Sequence, residues 1–189
     1  SMLKEEEKSI EYERDLNLLT SSSRWDNILR KLNRQETIEW ESLAAIYVTG
    51  ATEELIVLMR ALMCAVDYAP HRFLQGKSEG ALEREEMTDV EVARHGCLLL
   101  RSNDTKKRMS QVKVTETVTK ARVTELKAWN MKIDSMLFEN DQTGDPSLRS
   151  SIPALAKRYM VALVNYYESN LFAKKSKIKI NAIKETLES

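Results

Sequence analysis

Apolar positions recur at helical spacing along nearly the whole chain, and short polar or small-residue runs cut that pattern into about five segments. The first predicted helix covers residues 3–19, with a thin apolar stripe at Ile10, Leu16 and Leu19. Glu5, Glu6 and Glu7 suit the positive end of its dipole. Thr20, Ser21, Ser22 and Ser23 read as the first break. A second helix starts at the cap Ser23, with Asp26 three residues on. Its apolar positions run through Trp25, Ile28, Leu32, Ile38, Leu43 and Tyr47 to a stop at Gly50.

Thr52 caps a third helix, with Glu53 and Glu54 in its first turn. From Leu55 to Val66 its apolar residues go nearly all the way round, and a helix apolar on every side belongs at the centre of a core. Pro70 ends it. Thr88 with Glu91 spells a capping box for a fourth helix, which extends to Glu139 with residues 101–105 as the place for a break or bend. Residues 112–124 are rich in Val and Thr, so strand is an alternative there; the lack of hairpin turn residues favours helix. Residues 140–151, with Gly144 and Pro146, form the next break. Pro153 opens a fifth helix with no breaker before the C-terminus, a rod of roughly 50 Å at ~1.5 Å per residue. The expectation is an all-α chain: an elongated bundle of about five helices, as one domain over residues 1–189. Helices four and five should form a long antiparallel C-terminal hairpin.

Composition supports this. Only 5 Gly and 3 Pro occur in 189 residues, so long uninterrupted helices are favoured. Hydrophobic residues at 42% are enough for a core, and the zero net charge argues against disorder and against a general pull toward polyanions. Cys64 and Cys97 lie in strongly apolar stretches and read as buried free thiols. No disulfide framework, signal peptide or run of ~20 apolar residues is present, which points to an intracellular, most simply cytoplasmic, protein. Ser1 ahead of Met2 reads as the scar of a cleaved tag, which is compatible with a fragment of a longer protein.

The residues that carry chemistry are sparse. No phosphate-cradling Gly-rich loop, Cys-x-x-Cys pair or His-Glu-x-x-His occurs. His71 and His95 lie on different elements. Glu91, His95 and Cys97 have a spacing compatible with a metal, but the signal is weak, and ordinary helix packing is the far better reading. No catalytic residue, metal or cofactor is therefore expected.

Charge placement is more informative. Six acids in residues 5–15 make helix one acidic. Helix four is basic through Arg101, Lys106, Lys107, Arg108 and Lys113, and the tail of helix five through Lys174, Lys175 and Lys177, with Tyr166 and Phe172 nearby. An antiparallel hairpin would merge the two basic stretches into one patch. These residues are the candidate binding set. The leading reading is a non-enzymatic scaffold that binds other proteins through its long helices, homo-oligomers included. The alternative is a phosphate-directed module for RNA, DNA or anionic membrane. The absence of any aromatic from residue 101 to 128 weakens the nucleic-acid form of that alternative. No small-molecule substrate is expected.

Overall fold

Side-chain caps at Thr52 and Thr88 mark the starts of two helices, and one break that composition announces is bridged by continuous helix. The computed structural model describes residues 1–70, 81–139 and 151–189. Among these stand eight helices and no strand: α1 (Met2–Arg34), α2 (Thr37–Gly50), α3 (Glu53–Ala65), α4 (Ala81–Glu86), α5 (Asp89–Arg101), α6 (Asp104–Gln111), α7 (Lys120–Glu139) and α8 (Ser151–Glu188). The chain is all-α, as expected, and the higher helix count comes mainly from division of the expected fourth helix.

The serine run does not break α1. Ser22 Oγ donates back to the Leu19 carbonyl at 3.2 Å, which lets a serine sit inside a helix. Ser21 is buried and lies 2.6 Å, oxygen to oxygen, from Ser169 of α8. The small side chains serve close approach rather than termination. The first break falls instead at Gln35 and Glu36, where Glu39 Oε2 accepts the Glu36 N–H at 3.3 Å and opens α2. The helix expected over 23–50 is thus divided between α1 and α2.

The third helix forms as its pattern predicts. Thr52 Oγ1 accepts the Leu55 N–H at 3.3 Å, and ten of the thirteen residues of α3 are buried. At roughly 1.5–3 kcal/mol for each large side chain removed from water, α3 contributes more to the core per residue than any amphipathic neighbour. Its far end closes in a turn where Tyr68 N–H reaches Met63 O at 2.8 Å and Asp67 N–H reaches Cys64 O at 3.1 Å. Asp67 takes φ 53 there, a left-handed conformation in which glycine is usual. Its carboxylate explains the choice: Arg84 Nη1 lies 2.8 Å from Asp67 Oδ1, and Arg84 Nη2 lies 2.8 Å from Glu125 Oε2. Arg84 is only 5% exposed. Burial disfavours its charge, but hydrogen bonds to Glu125 and Asp67 more than offset that and hold the guanidinium above its usual range.

The expected fourth helix is three helices. α5 begins at Thr88, whose Oγ1 accepts the Glu91 N–H at 3.2 Å. It ends at the suspected 101–105 break, where Asn103 adopts φ 60. Residues 112–119 are neither helix nor strand, which settles the ambiguity of 112–124 in favour of an irregular link followed by α7. Val114 and Val118 in that link are buried. Arg122 pins it, donating to Thr117 O at 2.8 Å and to Ala65 O at the end of α3 at 3.2 Å. Gly96 of α5 allows the close crossing with α3, since a Cβ there would lie 2.9 Å from Met59 Cγ.

α8 runs antiparallel to α7, as the pairs Lys127–Glu168 (2.6 Å) and Lys157–Asp134 (2.9 Å) show, so the C-terminal hairpin is present. Its most extensive partner, however, is α1. Ser21 on Ser169 and Lys184 near Glu7 (3.7 Å) make that pair antiparallel too. Trp25 packs on Tyr159 with ring centroids 4.9 Å apart, and Tyr159 donates to Met109 O at 2.8 Å. No helix among the described residues is long and apolar enough to cross a membrane.

Candidate functional site: an apolar groove with a cationic rim

Where α1 and α8 separate around the core, they leave a groove of about 600 Å³. Arg24, Asn27, Ile28 and Lys31 of α1 form one wall; their spacing places them on one face over two turns. The second wall is α8 from Pro153 to Asn165, a trough of about 18 Å at ~1.5 Å per residue. Leu58 of α3 and Ile133 and Met136 of α7 complete the apolar lining, with Val161 and Ala162 of α8. Ile28, Leu58, Ile133 and Ala162 belong to the buried core and show the groove only their edges, while Val161 is exposed. α1 turns its Trp25 and Leu32 side toward the core, so Arg24 and Lys31 fall on its flank.

Charge on the rim is one-sided. Arg24, Lys31, Lys157 and Arg158 face a single lining carboxylate, Glu54. Lys157 is held by Asp134 at 2.9 Å. Among the described residues Arg24, Lys31 and Arg158 make no ion pair. Three cations without ion partners among the described residues thus stand beside apolar surface, where their combined field favours negative charge.

The residues singled out in the sequence lie elsewhere, and the fold does not bring them together. Lys106 Nζ donates to Asn33 O at 3.1 Å and Gln35 O at 3.2 Å, so it caps the C-terminal end of α1. Arg108 stacks over Tyr68, 5.4 Å from the ring centre. Lys107 is exposed on α6, and Lys113 pairs with Glu116 at 3.7 Å. Arg101 sits at a separate depression between α2 and α5, beside Val90 and Leu98. Lys174, Lys175 and Lys177 are exposed on the far part of α8, which lies along the start of α1. Asn33 and Glu7 stand 26 residues apart on one helix, about 39 Å, so the two basic stretches occupy opposite ends of α1 and do not merge. Tyr166 is half-buried with its ring 6.3 Å from Trp25, and Phe172 is half-buried in the α1–α8 seam.

His95 Nδ1 lies 2.7 Å from the Tyr68 hydroxyl, and Cys97 is buried. Among the described residues no group of three or more His, Cys, Asp or Glu has metal-holding geometry. His71 lies outside the described residues. Cys64 is buried against the Arg122 carbonyl, and burial, with Glu125 nearby, pushes its thiol far above the ordinary range. The groove cations escaped the sequence reading because two come from α1 and two from α8, more than a hundred residues apart. Only the seven-residue interval from Arg24 to Lys31 hinted at a shared face. No family model, curated protein or solved structure matches this chain.

Proposed function

We propose that the chain is a non-enzymatic interaction module that receives an acidic amphipathic helix of a partner protein in the groove between α1 and α8. The observation that carries this reading is an elongated apolar trough rimmed by three cations without ion partners among the described residues. A helix of three turns matches the ~18 Å length, and its apolar i, i+3, i+4, i+7 positions would lie along Val161 and Met136, over the edges of the buried Ile28, Leu58 and Ile133. Acids flanking that stripe would meet Arg24, Lys31 and Arg158. Beside apolar surface such charges set association rate and orientation, and like charge placed against them costs affinity. The phosphate-directed alternative has less support, because Lys106 and Arg108 are engaged within the chain and the two basic stretches lie far apart.

Fluorescence anisotropy with a labelled four-turn peptide tests this. The probe carries leucines at i, i+3, i+4, i+7 and glutamates at the flanks; its control replaces the glutamates with lysines. The acidic peptide should bind the chain and weaken as salt rises, and R24E/K31E/R158E should remove binding while the helical circular dichroism stays unchanged. Equal binding of both peptides, or binding that survives the triple reversal, would rule the groove out.

A further inference from the structure

The two-helix arm built from the first half of α1 and the last part of α8 carries complementary outer faces. We propose that it joins copies of this chain head to tail. This goes beyond the groove, which lies at the other end of α1 and takes a different occupant.

Within the arm, the α1 positions that pack on α8 follow a coiled-coil rhythm: Leu3, Glu7, Ile10, Arg14, Leu18 and Ser21 are half-buried or buried. On α8 the matching positions are Ser169, Phe172, Ser176, Ile180 and Ile183. At 3.6 residues per turn, Tyr12, Leu16 and Leu19 recur at i, i+4, i+7 on the side of α1 nearly opposite that seam. Tyr12 is 71% and Leu19 66% exposed. Leu171 and Ile178 occupy the corresponding outer side of α8, with Ile178 70% exposed. A coiled-coil seam needs only one stripe per helix, so a second apolar stripe on each helix is unexplained by the arm itself.

The two helical segments of the arm differ in charge. Residues 2–20 hold six acids and three bases, a net of −3; residues 171–188 hold five lysines and two glutamates, a net of +3. Within the arm, the long-range ion pair described is Lys184 with Glu7. Glu11, Glu13, Lys174, Lys175, Lys177 and Lys179 make no ion pair among the described residues. An α1-on-α1 dimer would set acid against acid. Laying α1 of one copy on α8 of the next sets acid against base.

The registers agree. Ser21 lies on Ser169, and each step back along α1 is a step forward along α8. An arm displaced sideways with no axial shift therefore sets Leu19 level with Leu171 and Tyr12 level with Ile178. The same displacement sets Glu13 level with Lys177 and Asp15, which also contacts Arg14 at 3.1 Å, level with Lys175. Both apolar pairs and two charge pairs are matched by one placement. Because the two faces lie on opposite sides of the arm, the contact is heterologous and does not close as a two-fold dimer.

Sedimentation velocity from micromolar to millimolar concentration reads the outcome. The weight-average mass of the chain should rise past that of a dimer without a plateau, and high salt should suppress the rise. L16E/L19E and L171E/I178E should each be monomeric with unchanged helical circular dichroism. Mixed, they should give a one-to-one complex that grows no further, since each retains the face the other lacks. K175E/K177E should weaken that complex, and E13K/D15K in the copy whose α1 face is intact should restore it. R24E/K31E/R158E should assemble as the unaltered chain does. A chain monomeric at millimolar concentration, a plateau at dimer, self-association of either face variant alone, or a mixture that stays monomeric would each overturn the proposal.

Discussion

The region around α3 and the arm of α1 with α8 are both helical, yet they are held together differently. α3 is enclosed on every side, and its end is fixed by buried ionic and hydrogen-bonded groups: Arg84 with Asp67 and Glu125, and Arg122 with two carbonyls. The arm has one narrow seam, lined partly by serines, and leaves most of its surface in water. Removing water from all sides of a helix makes every polar group there costly unless partnered. A two-helix seam imposes no such demand, so its outer faces are free to carry apolar and charged residues for other purposes.

The sharpest contrast should come from Arg84→Ala. It leaves two carboxylates facing each other beside Asp67's left-handed turn, and the loss of one partner from a buried ionic group costs about 3–5 kcal/mol. Urea unfolding monitored by circular dichroism should show that loss, and the groove peptide should still bind the fraction that is folded.

Alkaline pH should act on the same region. Burial pushes the phenols of Tyr47 and Tyr159 and the thiol of Cys64 above their usual ranges, so all three stay neutral in the folded chain while the unfolded chain ionises. Their contribution is fully present below the unfolded values and declines as pH rises through them toward the folded ones. Stability should therefore fall above about pH 9, on the order of 1.4 kcal/mol per pH unit for each group that ionises only on unfolding. Urea midpoints measured from pH 8 to 11 check this, and Tyr47→Phe should flatten the slope.

The arm should respond least. Lys184→Ala removes the 3.7 Å pair between exposed Lys184 and half-buried Glu7, worth about 0–1 kcal/mol and weakened by salt. Hydrogen exchange should find amides of residues 2–20 opening well before those of α3, because few apolar contacts close over them. Equal protection in the two regions would remove the distinction between them.

Much of the fold was legible before the structure. α3 could be read residue by residue, because apolar residues on every side leave only a central position and because Thr52 and Thr88 are caps whose partners lie three residues on. The Thr20–Ser23 run misled, since a serine that bonds back to its own helix looks in sequence like one that ends it. The division of the expected fourth helix was half visible, at residues 101–105, and half not, since Val and Thr suit a buried irregular link as well as a helix. The candidate site was hardly legible at all: the basic runs that stood out are scattered, and the groove uses cations from helices that meet only on folding.

By itself the sequence determined the all-α class, the central helix, the long C-terminal rod and the opposite charges of its two ends. These follow from local period, capping and composition, which act over a few residues. Tertiary structure decided that α8 lies along α1 as well as α7, that Lys106 serves as a cap, and that Arg24, Lys31 and Arg158 share a rim. The reason is that helix pairing depends on which faces exclude water together, and that choice is made among all helices at once.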